Sequence, residues 1–432
     1  MRVLHIIPNF APAWRYGGPV VAADGLTRTL AKLGHEVTVF TTNIDGDGVL
    51  DVPTARPINR DGVRVWYFPV QHPRWYCFSW QLADALRHCV SDFDIAHIHM
   101  LFLWPTTVAS FWCRKRRVPY IVHAAGLLDP ACIRKTYERR SVSVSSRLKK
   151  NLYLATLGRV ELGHASAIHF TSETERQEAI LPRSRTRRLV VPLGVDSFKD
   201  SDTDWNLVRG KFPQLCDRKI VLFMSRLDPK KGIILLMRAV GELLKRRDDF
   251  VIAVAGQGIC GYELELRRLS AELGIERQIV FTGTVTGQMK QSLLQCAKLF
   301  VLPSYHENFG VAAVEAMAAG LPIIISNRVN IHAEVARAGA GLVVGLDSNE
   351  LVDAIGVLLD DEAKRRSMGQ SGQRLVESSF RWDKVAAMTM SMYESVIAQA
   401  SSDANAAGAL SYLSTDADSS TNVDERSDIN CN

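Results

Sequence analysis

The chain has 432 residues, 47% of them hydrophobic and 23% charged, which is ordinary globular composition with length enough for two large cores. Eight cysteines (77, 89, 113, 132, 216, 260, 296 and 431) include no C-x-x-C pair. That argues against a zinc site or a dense disulfide framework and suits a reducing cytoplasm. The net charge of +6 is unevenly spread: residues 1–200 hold 27 Lys/Arg against 17 Asp/Glu, the remainder 25 against 29.

The basic residues of the first half cluster in "RKRR" (114–117), in Arg134, Lys135, Arg139, Arg140, Arg147, Lys149 and Lys150, and in "RSRTRR" (183–188). Such patches favour an anionic surface, phospholipid or nucleic acid, unless they are solvated helix faces.

The first apolar run, "RVLHIIP" (2–8), meets a proline too soon for a signal peptide and reads as a buried strand. No later run reaches the ~18 apolar residues of a spanning helix. A soluble or peripheral protein is expected. Strand-like and helical stretches then alternate: a helix over 20–33, strands at 35–42 and 63–69, a helix over 79–91, a strand at 95–99, a helix over 104–115 and a strand at 119–124. The pattern lapses across 129–150. It resumes with a helix near 151–163 and strands at 167–172 and 188–194, then enters the polar "DSFKDSDTDW" (196–205), where a domain boundary near 200 is placed.

A second series follows, with strands at 219–226, 250–256, 279–283, 299–304, 322–326 and 341–345, helices at 232–246, 261–272 and 286–295, one after residue 310, and closing helices to about 399. Alternation of this kind means parallel sheets covered on both faces. The expected fold is α/β: two tandem doubly wound, Rossmann-like domains facing a central cleft, over 1–200 and 201–380, with a closing helix at 381–400. From 401 the composition turns to Ser, Asp, Ala and Asn, with six acidic residues and one arginine, and reads as a disordered tail.

Ligands of doubly wound sheets bind outside the carboxyl ends of the strands. After the first strand, Gly17 and Gly18 in "YGGP" precede a helix, where bare backbone can approach an anionic or sugar ligand closely. "SRLDPKKG" (225–232) leaves the first strand of the second half. Its Arg226 and Lys231 stand just past the strand and just before the next helix, suited to grip a diphosphate.

"HENFGVAAVEAMAAG" (306–320) follows a later strand. Here Glu307 stands at the loop lip, able to meet sugar hydroxyls, while the amides of Asn308, Phe309, Gly310 and Val311 face phosphate at the helix start. Glu315 lies about 80° round the helix and roughly 12 Å along it. It sits in an alanine-rich stretch that should pack inward, so its carboxylate needs a partner, which a ribose diol would supply.

"SRLDPKKG" together with E-x7-E in "HENFGVAAVEAMAAGLPIIIS" resembles the retaining GT-B glycosyltransferases of family GT4. "YGGP", "HIHMLFLWP", "IVHAAGLLDP" and "VVPLGVD" match that family's N-terminal landmarks. The resemblance covers residues 1 to about 399; Ser225 departs from it, at a place where the family more often has glycine. It implies a nucleoside diphosphate sugar as donor substrate, with no cofactor. Arg226 and Lys231 would neutralise the diphosphate, Glu315 would hold the ribose and Glu307 would contact the donor sugar. Gly17 and Gly18 would cover the phosphates from the other domain, and His123 would stand near the donor sugar and reaction centre. His97, His99 and His123 also read as strand-end histidines satisfied by neighbours.

The implied chemistry is front-face displacement with retained configuration and without a metal ion. The D-x-D patterns of metal-using transferases occur at 45–47, 92–94 and 416–418, all in turn-like or disordered context. The family's N-terminal domain binds the acceptor. Here that domain is basic and carries "WYFPVQHPRWYCFSW" (66–80), which suits a membrane interface and a saccharide or lipid-linked saccharide acceptor, with no nucleic-acid partner. Two other readings share the plan, a nucleotide-sugar epimerase and a non-catalytic nucleotide-sugar-binding protein. A nicotinamide enzyme is excluded, since no G-x-G-x-x-G follows a first strand.

Overall fold

The protein is described by a computed structural model, which defines residues 1–134, 136–137, 140–141, 144–182, 184–198, 203–258 and 261–418. Two sheets organise it. The first contains β1 (Arg2–Ile6), β2 (Glu36–Thr42), β3 (Pro57–Arg60), β4 (Val63–Phe68), β5 (Ile95–His99), β6 (Tyr120–His123), β7 (Ala167–Phe170) and β8 (Arg187–Val190), in the order β8-β7-β6-β5-β1-β2-β4-β3. The second contains β9 (Lys219–Met224), β10 (Phe250–Ala255), β11 (Ile279–Gly283), β12 (Leu299–Leu302), β13 (Ile323–Ser326) and β14 (Gly341–Val344), in the order β11-β10-β9-β12-β13-β14. Among the described residues, every pairing in the two is parallel except β3 with β4.

The strands explain themselves. β5, β6, β7, β10, β12 and β13 are buried at every position, the signature of parallel strands covered on both faces. On the first sheet, Leu4, Ile6, Ile98, Val122 and Phe170 face one apolar cluster. Val3, Ile7, Ile95 and Ile121 face another, beneath the Gly18–Lys32 helix. The second sheet has one continuous core.

The sequence reading missed β3, although its hairpin signal was present. Arg60 pairs with Val63 across the two-residue loop Asp61-Gly62, both at positive φ, the conformation that such a tight antiparallel turn needs. The stretch read as a lapse, 129–150, contains the start of a helix at Val144–Ala155. A short helix at His332–Ala338 was also not anticipated.

The last helix, Trp382–Asp418, belongs spatially to the first half of the chain. Val385, Ala386, Met390, Tyr393 and Val396 join the core cluster of the first sheet. The Trp382 ring is wedged between Gly25 and Gly194, so closely that a Cβ on either glycine would lie 2.1 or 2.2 Å from it. The helix runs on to Asp418 where disorder was expected from 401, in keeping with the alanines of that stretch. The remaining tail, 419–432, and the linker residues 199–202 at the expected boundary lie outside the described residues.

Candidate active site

Each sheet reverses its winding once. In the first sheet the chain moves outward from β1 through β2 to β4, then returns to the other side of β1 with β5, so the switch lies between β1 and β5. In the second it lies between β9 and β12. Crevices at such switch points are where open α/β sheets hold ligands. The segments leaving β1, β9 and β12 are those that carry Gly17 and Gly18, Arg226 and Lys231, and Glu307 to Val311 respectively.

Gly17 caps the Gly18–Lys32 helix at φ +69° and ψ −134°, a conformation that favours glycine. A Cβ there would come within 3.7 Å of Arg226 Nε, so the two halves of the chain meet at this point. Gly18 faces open space, with nothing within 4 Å of where a Cβ would be. Arg226 itself is exposed. Beyond it, Asp228 caps a single turn at Pro229–Lys231, its carboxylate accepting from the Lys230 amide at 3.0 Å. That turn carries Lys231 inward, where its ammonium forms an ion pair with Glu307. Burial opposes the Glu307 charge, but Lys231, with Lys230 and His306, outweighs it and holds its pKa below the ordinary value.

The Val311–Ala318 helix starts from Gly310 in the left-handed conformation. Its first-turn amides have no acceptor within the helix. Phe309 enters this region by its backbone: its ring is buried, edge-on to Phe380 at 5.5 Å between centroids. Asn308 reaches across to the first half of the chain, donating to Thr171 Oγ1 at 3.1 Å and packing against Gly126. Its Oδ1 is buried without a partner.

Glu315 does not lie in an apolar interior, as its sequence context suggested. It is half-buried, and its partner is Lys290 at 2.9 Å, from the Gly287–Cys296 helix. Both line a cavity of about 40 Å³ together with Asp196, Phe198 and Gln291.

His123 ends β6 and is buried. It belongs to a group of five histidines that parallel register places on one face of four adjacent strands. His5 on β1 stands opposite His97 on β5, His99 opposite His123, and His123 opposite His169 on β7. Only three of the five were singled out from the sequence, because register between distant strands has no local signature. Burial holds all five neutral, with His5 lowered to about 3, His169 to about 4, and the others well below the ordinary value.

Neutrality fixes one hydrogen-bonded row. A carbonyl can only accept, so His169 Nε2 donates to Val191 O at 2.7 Å, leaving Nδ1 as an acceptor. His97 Nε2 therefore donates to His169 Nδ1 at 3.2 Å, and His97 Nδ1 accepts from the Tyr393 hydroxyl at 2.7 Å. The second row joins His5 Nδ1 to His99 Nε2 at 2.9 Å and His99 Nδ1 to His123 Nδ1 at 3.3 Å. Its two ends, His5 Nε2 and His123 Nε2, have no partner.

The D-x-D aspartates do not assemble a metal site among the described residues. Among the described residues, the groups of three or more acidic or histidine side chains close enough to share an ion are two trios of histidines. Asp94, for example, accepts from the Arg2 amide at 2.7 Å. The side chains of Asp416 and Asp418 lie outside the described residues.

Two facing doubly wound domains, with cationic groups and a helix start gathered at one switch point, define the architecture of a GT-B glycosyltransferase. The profile of "Glycosyl transferases group 1" matches residues 208–375, and that of "Glycosyl transferase 4-like domain" matches residues 17–194. An MMP alpha-(1->4)-mannosyltransferase of Mycolicibacterium hassiacum is 33% identical over 89% of this chain and 96% of its own. A D-inositol 3-phosphate glycosyltransferase of Corynebacterium glutamicum is 32% identical over 90% and 94%. Among solved structures, HepE of Anabaena in complex with UDP superposes with a TM-score of 0.70 over 91% of this chain and 100% of its own, at 19% identity. The chain belongs to the group 1, GT4-type glycosyltransferase family, and is a glycosyltransferase.

Proposed function

We propose that the protein transfers a hexose from a nucleoside diphosphate sugar to a saccharide or lipid-linked saccharide acceptor, with retention of configuration, in polysaccharide or glycolipid assembly. The observation that carries this reading is the convergence of Arg226, Lys231 and the start of the Val311–Ala318 helix beside Gly17, at facing switch points. These are positive groups placed where a departing diphosphate gains charge, and preorganised charge of this kind usually does more than any other single effect to lower the barrier. In the free protein Glu307 occupies Lys231; the donor diphosphate would take over the ammonium and release the carboxylate towards the sugar hydroxyls. Glu315 would accept from the ribose diol, and His123 Nε2, unpartnered at the strand end, would meet the donor sugar. The acceptor hydroxyl would attack the anomeric carbon from the side on which the C–O bond to diphosphate breaks, its proton passing to the leaving phosphate. None of these steps calls on a metal ion. HepE structures hold UDP and UDP-glucose, in keeping with a donor of that class.

The acceptor side of the proposal rests on exposed apolar groups beside cations. Of the aromatic stretch 66–80, Tyr67 and Phe68 are core residues, whereas Trp75 and Trp80 are 76% and 64% exposed. Phe111, Leu148 and Leu152 are also exposed, and the Lys115 ammonium lies 5.4 Å from the Trp112 ring. No helix among the described residues is long and apolar enough to cross a membrane. A peripheral seat on an anionic leaflet, on the cytoplasmic side, fits this surface. An epimerase of the same plan would need no acceptor surface, and the relatives bear transferase names.

Thermal shift and slow hydrolysis with UDP-glucose, UDP-galactose, UDP-N-acetylglucosamine and GDP-mannose, in EDTA, test the donor site. One donor should stabilise the wild type and lose that effect in Glu315→Ala. Binding by none of them, or binding indifferent to Glu315, would overturn the reading.

A further inference from the structure

We propose that His97, His123 and His169 form a metal site for a zinc-type divalent ion, an inhibitory site set directly under the catalytic cleft. The ligating nitrogens of the three lie within 4.8 Å of one another, and all three side chains are buried. A second trio, His5, His97 and His99, gathers its nitrogens within the same distance. It is the weaker candidate, because both nitrogens of His97 are engaged outside that trio, with the Tyr393 hydroxyl and with His169.

In the favoured trio each ring has one nitrogen held by an outer partner and one left for the centre. His97 Nδ1 is held by the Tyr393 hydroxyl, His169 Nε2 by the Val191 carbonyl and His123 Nδ1 by His99 Nδ1. That leaves His97 Nε2, His169 Nδ1 and the unpartnered His123 Nε2. Outer partners of this kind are what fix the tautomer and aim of ligating histidines. The 3.2 Å between His97 Nε2 and His169 Nδ1 is close to the roughly 3.3 Å expected between two nitrogens about 2.05 Å from one tetrahedral ion. In the metal-free protein a single proton on His97 Nε2 bridges that gap. When the ion enters, this proton moves to His97 Nδ1, which then donates to the Tyr393 oxygen, so all three rings stay neutral. His123 and His169 line a cavity of about 20 Å³ together with His99, Pro19, Trp382 and Thr389, room for one water beside the trio. Three neutral nitrogens with an open fourth place suit zinc and cobalt(II) rather than magnesium or calcium, which want oxygen.

The inhibitory role rests on the proposed place of His123 at the donor sugar: an ion on Nε2 withdraws that nitrogen from the sugar. The existence of the site does not rest on it, and the two are separable by experiment. Full-length protein stripped with chelator is titrated with cobalt(II), followed by the visible absorption of low-coordinate cobalt, and then with zinc as competitor, alongside transfer activity.

The wild type should develop those bands, and a single equivalent of zinc should erase them. His97→Gln and His169→Asn should weaken cobalt binding by about a hundredfold or more. Tyr393→Phe, which removes no ligand, should weaken it about 10–100-fold. His5→Asn, outside the trio, should retain the bands. Melting in chelator checks that each variant is folded; should the ligand variants fail to fold, Tyr393→Phe decides. Absence of the bands in wild type, or equal bands in the folded trio variants and in Tyr393→Phe, overturns the site. If the bands behave as expected and zinc leaves transfer untouched, the inhibitory role falls, and with it the placing of His123 at the sugar, while the metal site stands.

Discussion

Lys231 and Glu307 neutralise each other, so either substitution exposes what the other is for. Lys231→Ala leaves a largely buried carboxylate without its cation and removes one of the charges proposed to face the diphosphate. Steady-state kinetics should give a kcat lower by about 10²–10³-fold, the loss that follows removal of one preorganised donor. Glu307→Gln leaves the Lys231 ammonium unpaired and should cost about 3 kcal/mol near neutral pH, measured by denaturant unfolding. The pH dependence has a definite sign. The folded-state pKa of Glu307 is depressed, so its contribution is fully present above its ordinary value of 4.5 and is lost as pH falls through the lower folded value. The stability gap between wild type and Glu307→Gln should therefore narrow as pH drops below about 4.5. A gap independent of pH would show that the carboxylate charge is not what holds Lys231.

Among the elements, the C-terminal helix has the most to say about how the halves are joined. It leaves the second half at Phe380, whose carbonyl accepts from the Val195 amide at 2.8 Å, and lays Trp382 across Gly25 and Gly194. Glycine inside the Gly18–Lys32 helix is unfavourable by propensity, and Gly25 is there because a side chain would occupy the indole's space. Gly25→Ala should gain helix propensity and still destabilise, by about 1–3 kcal/mol, as overpacking does. Limited proteolysis should then cut within 382–400 sooner than in wild type. If Gly25→Ala is instead more stable, Trp382 is not a docking anchor. The exposed tryptophans give a second expectation. Trp75→Ala with Trp80→Ala should abolish sedimentation with anionic liposomes at low salt while leaving the melting midpoint nearly unchanged, since both rings are mostly exposed.

Across the whole molecule, the proposed transfer needs two switch points held face to face. Contacts span the cleft where Gly17 lies beside Arg226, where Gly126 packs against Asn308, and where His306 stands 3.5 Å from Asp129. At Gly126, φ is +79° and a Cβ would sit 2.8 Å from that of Asn308. Gly126→Ala is thus strained in its backbone and pushes the halves apart. Small-angle scattering should report a larger radius of gyration, and transfer should fall although no diphosphate-facing group has been altered. An unchanged radius with full activity would mean that this contact does not set the closed arrangement.

The alternation of strand and helix, the turn "SRLDPKKG" and the E-x7-E helix were legible in the sequence because each is local. A buried parallel strand announces itself by an unbroken apolar run, and a cation that follows a strand by two residues lies at its carboxyl end wherever the strand is placed. The positions of Arg226, Lys231 and Glu307 just past strand ends were therefore readable from the chain alone. What those residues touch was not. That Lys231 meets Glu307, that Glu315 is held by Lys290, and that Phe309 turns into the core are outcomes of packing between segments up to 76 residues apart. The five-histidine face is the clearest case. His5, His97, His99, His123 and His169 come together only because β1, β5, β6 and β7 pair in one register, and a shift of one residue would turn a strand's histidine to the opposite face. Propensity and burial pattern act over a few residues, so the chain alone specifies which elements form and which residues stand at their ends. Which of those ends meet is settled in the folded molecule, because register and domain apposition depend on contacts that no local stretch contains.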